Sequence, residues 1–343
     1  MARAYMAEAA ETGDGGRRGP GRGGGRVRSA FSRWGGPGMW RRGWIIAAVA
    51  VLLALAFLLH ADIPNSVGNL GSLWETFLPW GGLLIPVLLV AGLLRRSPLA
   101  LIATVVPALV WLNLFGGQLT DKSGSGGDLT VVTHNVNAGN PDPAGTARKL
   151  AATDADVISL EEVAQGEGPA YEKQLASEYP YHKLVGTVGL WSKYPMSDTR
   201  TVDIKMGWPR AMRSTLHTPK GEVAVYAAHL PSVRVQFQAG FTANQRDDSA
   251  DALGKAISND RTGKVVLLGD LNGTMNDRAL APVTSQMRST QGAAGNGFGF
   301  SWPASFPMAR IDQIMVKNLE PVSSWTLPKT GSDHLPVAAA VNF

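Results

Sequence analysis

The chain of 343 residues contains no cysteine. Disulfide bonds, thiolate zinc sites and cysteine nucleophiles are therefore excluded. A lack of cysteine fits work outside the reducing cytoplasm, but it is also common in cytosolic proteins. The absence removes three kinds of chemistry and leaves the compartment open.

Most of the chain also lacks an excess of positive charge, although the formal net charge is +5. Residues 1–43 hold nine arginines against three acidic residues, and the remaining 300 residues hold 23 basic and 24 acidic groups. A domain that binds a polyanion needs its positive charge on the binding face. The distribution therefore disfavours a nucleic-acid-binding body and assigns the basicity to the amino-terminal arm.

Within this arm, residues 11–38 are mostly Gly, Arg, Pro and Ser and show no hydrophobic period. Such a composition cannot bury enough apolar surface to fold, so we interpret residues 1–43 as a disordered, basic, cytoplasmic arm. Two interpretations of its role remain: a solvated tail without a partner, or a segment that contacts anionic lipid headgroups.

Three long apolar runs follow the arm, at about residues 44–60, 77–94 and 98–115. Each has 17 or 18 residues, close to the roughly 20 that a helix needs to cross the hydrocarbon core of a membrane. Tryptophans lie near their ends, as in an interfacial aromatic belt. The runs predict three transmembrane α-helices in residues 44–115; the alternative is a buried helical core.

Arginine placement predicts how these helices are oriented. One Arg–Arg pair, residues 41–42, precedes the first run, and a second pair, residues 95–96, separates the second run from the third. Residues 61–76 between the first two runs contain no Lys or Arg. The positive-inside rule places both pairs in the cytoplasm. Three crossings then place everything after Phe115 outside, as part of a multi-pass protein of the cell membrane.

The composition and hydrophobic pattern of the sequence change after the third run. Residues 116–127 (GGQLTDKSGSGG) are typical of a flexible linker. From residue 128 to residue 343, short β-branched apolar runs alternate with loops, and residues 145–153 and 243–258 have a helical pattern. A segment of this length can bury a sizeable core, so residues 128–343 are predicted to form one catalytic domain.

Polar side chains follow the strand-like runs of this domain. They are Asn135, Glu161, Glu162, His229, Asp270, Asn272, Asp312, Asp333 and His334. A rigid sheet can bring such strand-end groups together at one edge. Carboxylate and amide oxygens suit a hard cation such as Mg²⁺ or Mn²⁺, and histidines beside them suit proton transfer. Taken singly, each residue is also explained as a turn, cap or core residue.

The order of these segments resembles the endonuclease/exonuclease/phosphatase (deoxyribonuclease-I-like) superfamily. THN, LEEV, AAHL, GDLN, RID and SDHLPV occur in the order of that superfamily between about Leu129 and Phe343. The resemblance implies an α/β (α+β) domain built as a four-layer αββα sandwich, with two packed, mostly antiparallel sheets and helices on both outer faces. It also implies a metal-dependent hydrolase acting on phosphoester bonds, with Mg²⁺ or Mn²⁺ as cofactor.

The resemblance further implies a role for each of the strand-end residues. The metal-binding residues would be Asn135, Glu162 and Asp333. The catalytic residues would be His229, Asp270, Asn272, Asp312 and His334. Asp270 would align or deprotonate the attacking water, and Asn272 would donate to a phosphoryl oxygen. The two histidines would flank the phosphorus, with His334 oriented by Asp312. Displacement at phosphorus depends mainly on positioning and charge stabilisation, which this set can provide.

Some residues depart from the superfamily pattern or lie outside it. The family usually has Gln before the metal-binding glutamate, whereas this chain has Glu161. A carboxylate here would alter metal preference or raise the pKa of a neighbour, or it would point away from the site, and the sequence leaves both open. The remaining candidates for substrate contact are Arg210, Arg213, Arg246 and the block Trp302–Met308, with solvated surface and loop packing as the alternatives.

The predicted anchoring narrows the choice of substrate. A phosphoesterase tethered outside the membrane samples the lipid surface at high effective concentration. We therefore expect a membrane-borne phosphate or pyrophosphate, such as a polyprenyl diphosphate or a phospholipid head group, rather than nucleic acid. The architecture is also similar to that of membrane proteins that confer resistance to teicoplanin-type glycopeptides, which would imply cell-wall carrier recycling. The alternatives are a surface-anchored nuclease and an inactive membrane-anchored binding domain.

Overall fold

The computed structural model of the chain describes residues 38–236 and 240–343. Most of the arm predicted for residues 1–43 lies outside the described residues. The first helices are α1 (Trp44–Leu58), α2 (Leu70–Thr76), α3 (Leu84–Leu94) and α4 (Pro98–Phe115). Short 3₁₀ helices join or extend them at His60–Asp62, Leu78–Leu83 and Gly116–Leu119. Residues 44–119 are called the helical unit below.

The helical unit follows the three apolar runs, but its helices differ in length from full membrane spans. Among the described residues, Pro98–Leu119 is the one helix long and apolar enough to cross a membrane by itself. A second span is obtained when Leu70–Thr76 and Leu78–Leu94, bent by 74°, are taken together. α1 rises about 22 Å, less than the roughly 30 Å of a hydrocarbon core. Helix length thus supports one or two spans where the sequence predicted three.

Two six-stranded sheets make up the sandwich domain, residues 128–343. Sheet A contains, in spatial order, β13 (Glu320–Thr326), β14 (Val337–Asn342), β1 (Leu129–Asn135), β2 (Val157–Glu161), β4 (Val188–Ser192) and β3 (Tyr181–Val185). Sheet B contains β11 (Arg288–Ser289), β12 (Asp312–Lys317), β10 (Val265–Asp270), β7 (Gly221–His229), β6 (Ala211–Thr218) and β5 (Met196–Thr201). Neighbouring strands are antiparallel except the pairs β1–β2 and β7–β10.

Helices cover the outer face of each sheet. On sheet A, α5 (Pro143–Ala151) and α6 (Gly168–Leu175) share a buried apolar cluster with β2. On sheet B, α7 (Asn244–Ser258) and α8 (Ala281–Thr284) share one with β10. The smaller elements are α9 (Thr290–Ala294), a 3₁₀ helix at Arg278–Leu280, and a ribbon of β8 (Val235–Gln236) and β9 (Gly240–Phe241). The four-layer αββα sandwich is confirmed.

The core between the two sheets follows the alternation of side chains along the strands. Val131 of β1 and the pair Val266 and Leu268 of β10 face this core. Successive side chains of a strand point to opposite faces. Asn135, four positions after Val131, and Asp270, two positions after Leu268, therefore face the same way as the core residues. The polar strand-end residues lie at one end of the apolar layer between the sheets.

The helical unit is docked against the sandwich domain near this end. The buried carboxylate of Glu75 pairs with Arg278 at 3.2 Å, and the Arg278 guanidinium also donates to the carbonyl oxygen of Ala61. Trp80 Nε1 donates to the carbonyl oxygen of Met308 at 2.7 Å. An ion pair and a partly buried indole hydrogen bond thus fix the segment between α1 and α3 to the loops of the sandwich.

The predicted linker, residues 116–127, is also attached to the sandwich domain. Lys122 Nζ donates to the carbonyl oxygen of Gly292 at 2.7 Å, and the Gly124 N–H donates to the carbonyl oxygen of Val322 at 2.7 Å. These bonds add to the direct contacts of the helical unit. The position of the domain over the helices therefore does not depend on the linker alone.

Candidate active site

The strand registers bring the predicted residues to one edge of the two sheets. In sheet B, Asp270 on β10 lies opposite His229 on the parallel strand β7 and opposite Asp312 on the antiparallel strand β12. In sheet A, Asn135 at the end of β1 lies opposite Glu161 on β2. Parallel strands end at the same edge, and an antiparallel neighbour begins there. Sheet B therefore delivers a histidine and two carboxylates side by side.

His334 and Asp312 form a buried ion pair in this group. His334 Nδ1–H donates to Asp312 Oδ2 at 2.9 Å, and Ser301 Oγ donates to the same oxygen at 2.6 Å. Burial alone would lower the pKa of His334, but the charges of Asp312 and Asp270 raise it to about 10. Burial alone would raise the pKa of Asp312, but the His334 cation and the two hydrogen bonds hold it below its ordinary value. At neutral pH the pair is an imidazolium held by a carboxylate.

Asp270 is the buried carboxylate at the centre of the group. Asn135 Nδ2 donates to its Oδ2 at 3.0 Å, and the Asn272 N–H donates to its Oδ1 at 2.9 Å. Its Oδ2 also lies 3.9 Å from His334 Nε2. Burial, followed by repulsion from Asp312, raises the pKa of Asp270 to about 7. A carboxyl group with a pKa near neutrality can exchange a proton at physiological pH, as a general base must.

Gly269, directly before Asp270, allows β7 and β10 to approach this closely. Its φ is +145°, and a side chain would place a Cβ 1.8 Å from the carbonyl oxygen of Ala228. A residue with a side chain tolerates neither condition. The glycine of GDLN is therefore needed to set Asp270 beside His229.

His229 is the neutral histidine of the site. Its Nε2 lies 3.4 Å from Glu162 Oε1 and 3.7 Å from Asp270 Oδ2, and the Arg210 guanidinium contacts its ring nitrogens. Burial, the Arg210 cation and the His334 cation all lower the pKa of His229 well below its ordinary value. At physiological pH His229 is therefore neutral, whereas His334 is protonated.

The adjacent glutamates Glu161 and Glu162 point in different directions. Glu162 has a left-handed backbone, with φ +58°, and its Oε2 accepts from the Ala138 N–H at 3.3 Å. Glu161 remains in β2 and faces the gap between the sheets, where Thr133 Oγ1 and Ser159 Oγ donate to it. Burial, opposed by these hydrogen bonds, raises the pKa of Glu161 to about 8. Glu161 does not line the cleft, yet its carboxyl group interacts with the charges of Asp312 and Asp270, so it neither faces the cleft nor points away from the site.

A cleft of about 510 Å³ opens beside this group. The predicted residues that line it are Glu162, Asp270, Asn272, Asp333 and His334. Three further predicted residues are buried next to them: Asn135, His229 and Asp312. The structure therefore gathers every predicted site residue at one cleft, with some facing the space and others orienting those that do.

Two carboxylates of the predicted metal set, Glu162 and Asp333, face the cleft. Asn137 Nδ2 donates to Asp333 Oδ1 at 3.1 Å, and the Asn137 N–H donates to Asn135 Oδ1 at 3.0 Å. Asn135 thus has both ends of its amide engaged, because its Nδ2 donates to Asp270. Carboxylate oxygens on an open wall fit a hard cation such as Mg²⁺. Asn135 supports this wall from behind.

A second group of possible ligands comprises Asp270, Asp312 and His334, whose donor atoms lie within 4.8 Å of one another. The charges of Asp312 and Asp270 raise the pKa of His334 to about 10, which favours its protonated form, and a protonated imidazole cannot bind a metal ion. Asp312 is fully buried and already accepts from His334 and Ser301. These side chains already stabilise one another through hydrogen bonds and opposite charges. The open wall of the cleft at Glu162 and Asp333 therefore accommodates a cation better.

Several lining residues were missed by the sequence analysis. Asn137 could have been found, because it belongs to the asparagine-rich segment after β1, and Trp302 belongs to a block already noted. Thr76 and Phe77 come from the helical unit and also line the cleft. No local pattern marks these two residues, which reach the site only because the helical unit docks here.

The three arginines noted in the sequence do not lie on solvated surface. Arg246 is fully buried, pairs with Asp277 at 2.7 Å and donates to the carbonyl oxygen of Asn272 at 2.6 Å, so it holds the loop that follows β10. Arg213 is buried in an ion pair within the sandwich. Both alternatives considered for these two residues are wrong. Arg210 is the one that reaches the site, through His229.

Comparison with known proteins gives one family. The family model described as "Endonuclease/Exonuclease/phosphatase family" matches residues 132–334, which is more than half of the chain. This range begins in β1 and ends at His334, so it contains all the strand-end residues of the cleft. No match was found among curated protein sequences.

Solved structures share the fold of the sandwich domain. Bacteroides thetaiotaomicron mannosyl-6-phosphatase is 17% identical, with 63% of this chain and 100% of that chain covered and a TM-score of 0.53. D. rerio TDP2 complexed with a single-strand DNA product is 15% identical over 63% and 99%, with a TM-score of 0.54. Beta toxin from Staphylococcus aureus is 16% identical over 62% and 99%, with a TM-score of 0.50. At these identities the likeness shows the fold alone.

The paired glutamates give a matched test of the metal site. Glu162→Gln should raise the Mg²⁺ concentration for half-maximal activity by about a hundredfold or more, because it removes an anionic oxygen from the cleft wall. Glu161→Gln is the control: Glu161 does not line the cleft and burial raises its pKa to about 8, so Gln replaces a carboxyl group that is mostly neutral near neutral pH and the shift should be much smaller. Mg²⁺ activation curves and calorimetry measure both. Equally large increases in this Mg²⁺ concentration for the two variants would mean that Glu161 also binds the ion.

Asp270 and His334 should behave as one unit. Asp270→Asn and His334→Ala should each lower kcat by about 10²- to 10⁴-fold, because each removes a charge or proton-transfer group. The double variant should cost little more than the worse single variant, since such residues are not additive. Asp312→Asn should cost less than His334→Ala, because the imidazole remains and loses only its orientation.

Steady-state kinetics on variants with unchanged near-UV circular dichroism check this prediction. Fully additive losses from Asp270→Asn and His334→Ala, or near-normal turnover in either, would show that the two residues do not serve one reaction.

Proposed function

The chain belongs to the endonuclease/exonuclease/phosphatase family, whose members are metal-dependent hydrolases of phosphoester bonds, and from this premise we propose that it hydrolyses a lipid-linked phosphate or pyrophosphate outside a membrane. The favoured substrate is a polyprenyl diphosphate, with a phospholipid head group next. One observation carries the proposal: Thr76 and Phe77 of the helical unit line the same cleft as Asp270 and His334. A cleft walled partly by the helical unit suits a phosphate attached to a membrane lipid.

The proposed roles of the side chains follow from their contacts. The His334 imidazolium, held by Asp312, stabilises negative charge that develops on the phosphoryl oxygens. Asp270 Oδ2 accepts a proton from the attacking water. Asn272 Nδ2 donates to the carbonyl oxygen of Leu230 at 3.0 Å, and its second N–H is a donor for a phosphoryl oxygen.

The proposed cation, Mg²⁺ or Mn²⁺, would be held by Glu162 and Asp333, with Asn135 supporting them. When bound it supplies positive charge to the phosphoryl oxygens. Positive charge beside Asp270 would also favour its ionised form, since burial raises the pKa of this carboxyl group to about 7. Neutral His229, beside Glu162, is available to move a proton.

Membrane anchoring is supported by the surface of the helical unit. Large apolar side chains on α1, α3 and α4 are exposed, among them Leu52, Val87, Leu94 and Leu109. Soluble proteins rarely expose an apolar patch of this extent. We propose that this surface lies in the cell membrane and that the short α1 is accommodated by the flanking turns.

The arginines that flank the helices of the helical unit gather at one of its ends, which supports the proposed orientation. Arg41, Arg42 and Arg95 line one small cavity at one end. At the other end of α1, the carbonyl oxygen of Ala61 accepts from Arg278 of the sandwich domain. Cytoplasmic arginines would place the sandwich domain outside. With a polyprenyl diphosphate as substrate, the role would be cell-wall carrier recycling, and glycopeptide resistance would be a consequence of it.

Purified full-length protein should release phosphate from polyprenyl diphosphate in nanodiscs. EDTA should abolish the release, and Mg²⁺ or Mn²⁺ should restore it. The kcat/KM for the lipid should exceed that for DNA by at least about a hundredfold, or about 2.7 kcal/mol of transition-state stabilisation. His334→Ala is the control for contaminating enzymes. Faster cleavage of DNA would favour the nuclease, and no cleavage of any phosphoester would favour the inactive binding domain.

Reporter fusions test the orientation in cells. Alkaline phosphatase fused after Phe343 should be active, because it would be exported, whereas the same reporter fused at Arg95 should be inactive. Immunoblots control for expression of both fusions. An expressed but inactive fusion after Phe343 would overturn the proposed orientation.

A further inference from the structure

An aromatic groove lies where the helical unit meets the sandwich domain. It is lined by Trp80, Leu83, Trp111, Phe298 and Phe300 and has a volume of about 290 Å³. We propose that this groove, called the chain groove below, binds the hydrocarbon chain of the lipid substrate over the stretch nearest to the phosphate. The inference rests on the proposed function and adds to it the place where the apolar part of the substrate binds.

The first reason is that the chain groove offers almost no polar group to a ligand. Its two indole N–H groups are already used: Trp80 Nε1 donates to the carbonyl oxygen of Met308 at 2.7 Å, and Trp111 Nε1 donates to the carbonyl oxygen of Pro79 at 2.9 Å. These bonds leave no free indole N–H in the groove. A groove of this chemistry favours a hydrocarbon over ligands that need hydrogen-bond partners.

The second reason is that both parts of the protein build the groove together. The rings of Trp80 and Phe300 are stacked with centroids 5.7 Å apart, and Phe298 stacks on Phe300 at 5.1 Å. Trp111 of α4 lies 6.4 Å from Phe298. Trp80 and Trp111 belong to the helical unit, whereas the two phenylalanines belong to a loop of the sandwich domain. The groove therefore exists only in the docked arrangement.

The third reason is continuity with the surface proposed to lie in the membrane. Leu83 is 60% exposed and begins the exposed apolar side of α3, and Leu109 and Leu112 are exposed on α4 near Trp111. A lipid chain in the outer leaflet would meet this surface first. It can pass into the groove without leaving an apolar environment, so entry costs little desolvation.

The fourth reason is proximity to the catalytic cleft. A smaller cavity of about 150 Å³ shares Pro79, Phe298 and Phe300 with the chain groove and shares Thr76 with the cleft. Phe77 lines the cleft itself. The segment 76–83 thus forms a common wall, with the phosphate-binding side chains at one end and the apolar groove at the other. This order matches an amphiphile whose phosphate is attached directly to its chain.

Filling the groove gives a selective test. Leu83→Trp places a large ring in the groove, and Leu94→Trp places the same ring at the far end of α3, where the side chain is 80% exposed. The substrates are a long-chain polyprenyl diphosphate and dimethylallyl diphosphate, which has the same head group and a five-carbon chain. Leu83→Trp should lower the ratio of kcat/KM for long over short substrate by about tenfold or more, since each buried methylene contributes about fourfold to binding.

Leu94→Trp should leave that ratio within about twofold of the unsubstituted protein, since no methylene contact is lost. Measuring a ratio within each variant removes differences in folding and active fraction. An unchanged ratio in Leu83→Trp, with both substrates cleaved, would overturn the chain groove while leaving the proposed function intact. Failure of the unsubstituted protein to cleave either diphosphate would instead overturn the proposed substrate class.

Photolabelling supplies a readout that does not depend on turnover. A polyprenyl phosphate carrying a diazirine on its first isoprene units is bound to the full-length protein in nanodiscs and irradiated. Peptides containing Trp80, Leu83, Trp111 or Phe298 should carry the label, and excess unlabelled polyprenyl phosphate should prevent it. Label found only on the outer faces of α1, α3 and α4, and insensitive to competition, would show annular lipid contact and overturn the proposal.

Discussion

The register of β10 and β12 places Asp270 directly opposite Asp312, and the repulsion between these two buried carboxyl groups is the constraint on which the site depends. Charges of one sign cannot be buried together unless they are neutralised. The His334 imidazolium pairs with Asp312, and Asp270 is left with a pKa of about 7. The same repulsion separates the roles of the two acids: Asp312 orients a cation, and Asp270 is able to exchange a proton.

The neighbouring groups complete this separation. His229 is kept neutral by burial and by Arg210, although it lies at almost the same distance from Asp270 Oδ2 as His334 does. Two histidines in one small site are thus held in opposite protonation states by different partners, a carboxylate for one and a guanidinium for the other. One cationic and one neutral imidazole thus lie beside the same carboxylate. Glu162, on the open wall of the cleft, lies next to the neutral one, His229.

The helical unit contributes part of the wall of the catalytic cleft. Without it, the cleft would lose the part of its wall that Thr76 and Phe77 form. The Glu75–Arg278 pair and the Trp80–Met308 bond hold the segment between α1 and α3 against the cleft. Residues outside the catalytic domain can therefore contribute to substrate selection. In our proposal, the aromatic groove formed by both parts binds the apolar portion of the substrate while the sandwich domain acts on its phosphate.

The sequence by itself determined that polar residues such as Asn135 and Asp270 follow the strand-like runs, because short β-branched runs mark the strands and a rigid sheet brings their ends together. The order of these motifs resembles that of the superfamily, and this resemblance implied the sandwich and the roles of the residues. Only the tertiary structure decided where Glu161 points, since a left-handed turn at Glu162 separates two adjacent glutamates. It also decided the burial of Arg246 and the arrival of Thr76 and Phe77 at the cleft. Thr76 and Phe77 arrive through contacts between segments some two hundred residues apart in the chain. Arg246 and Glu161 are held by contacts with other elements about thirty residues away, and local periodicity carries no information about either kind of contact.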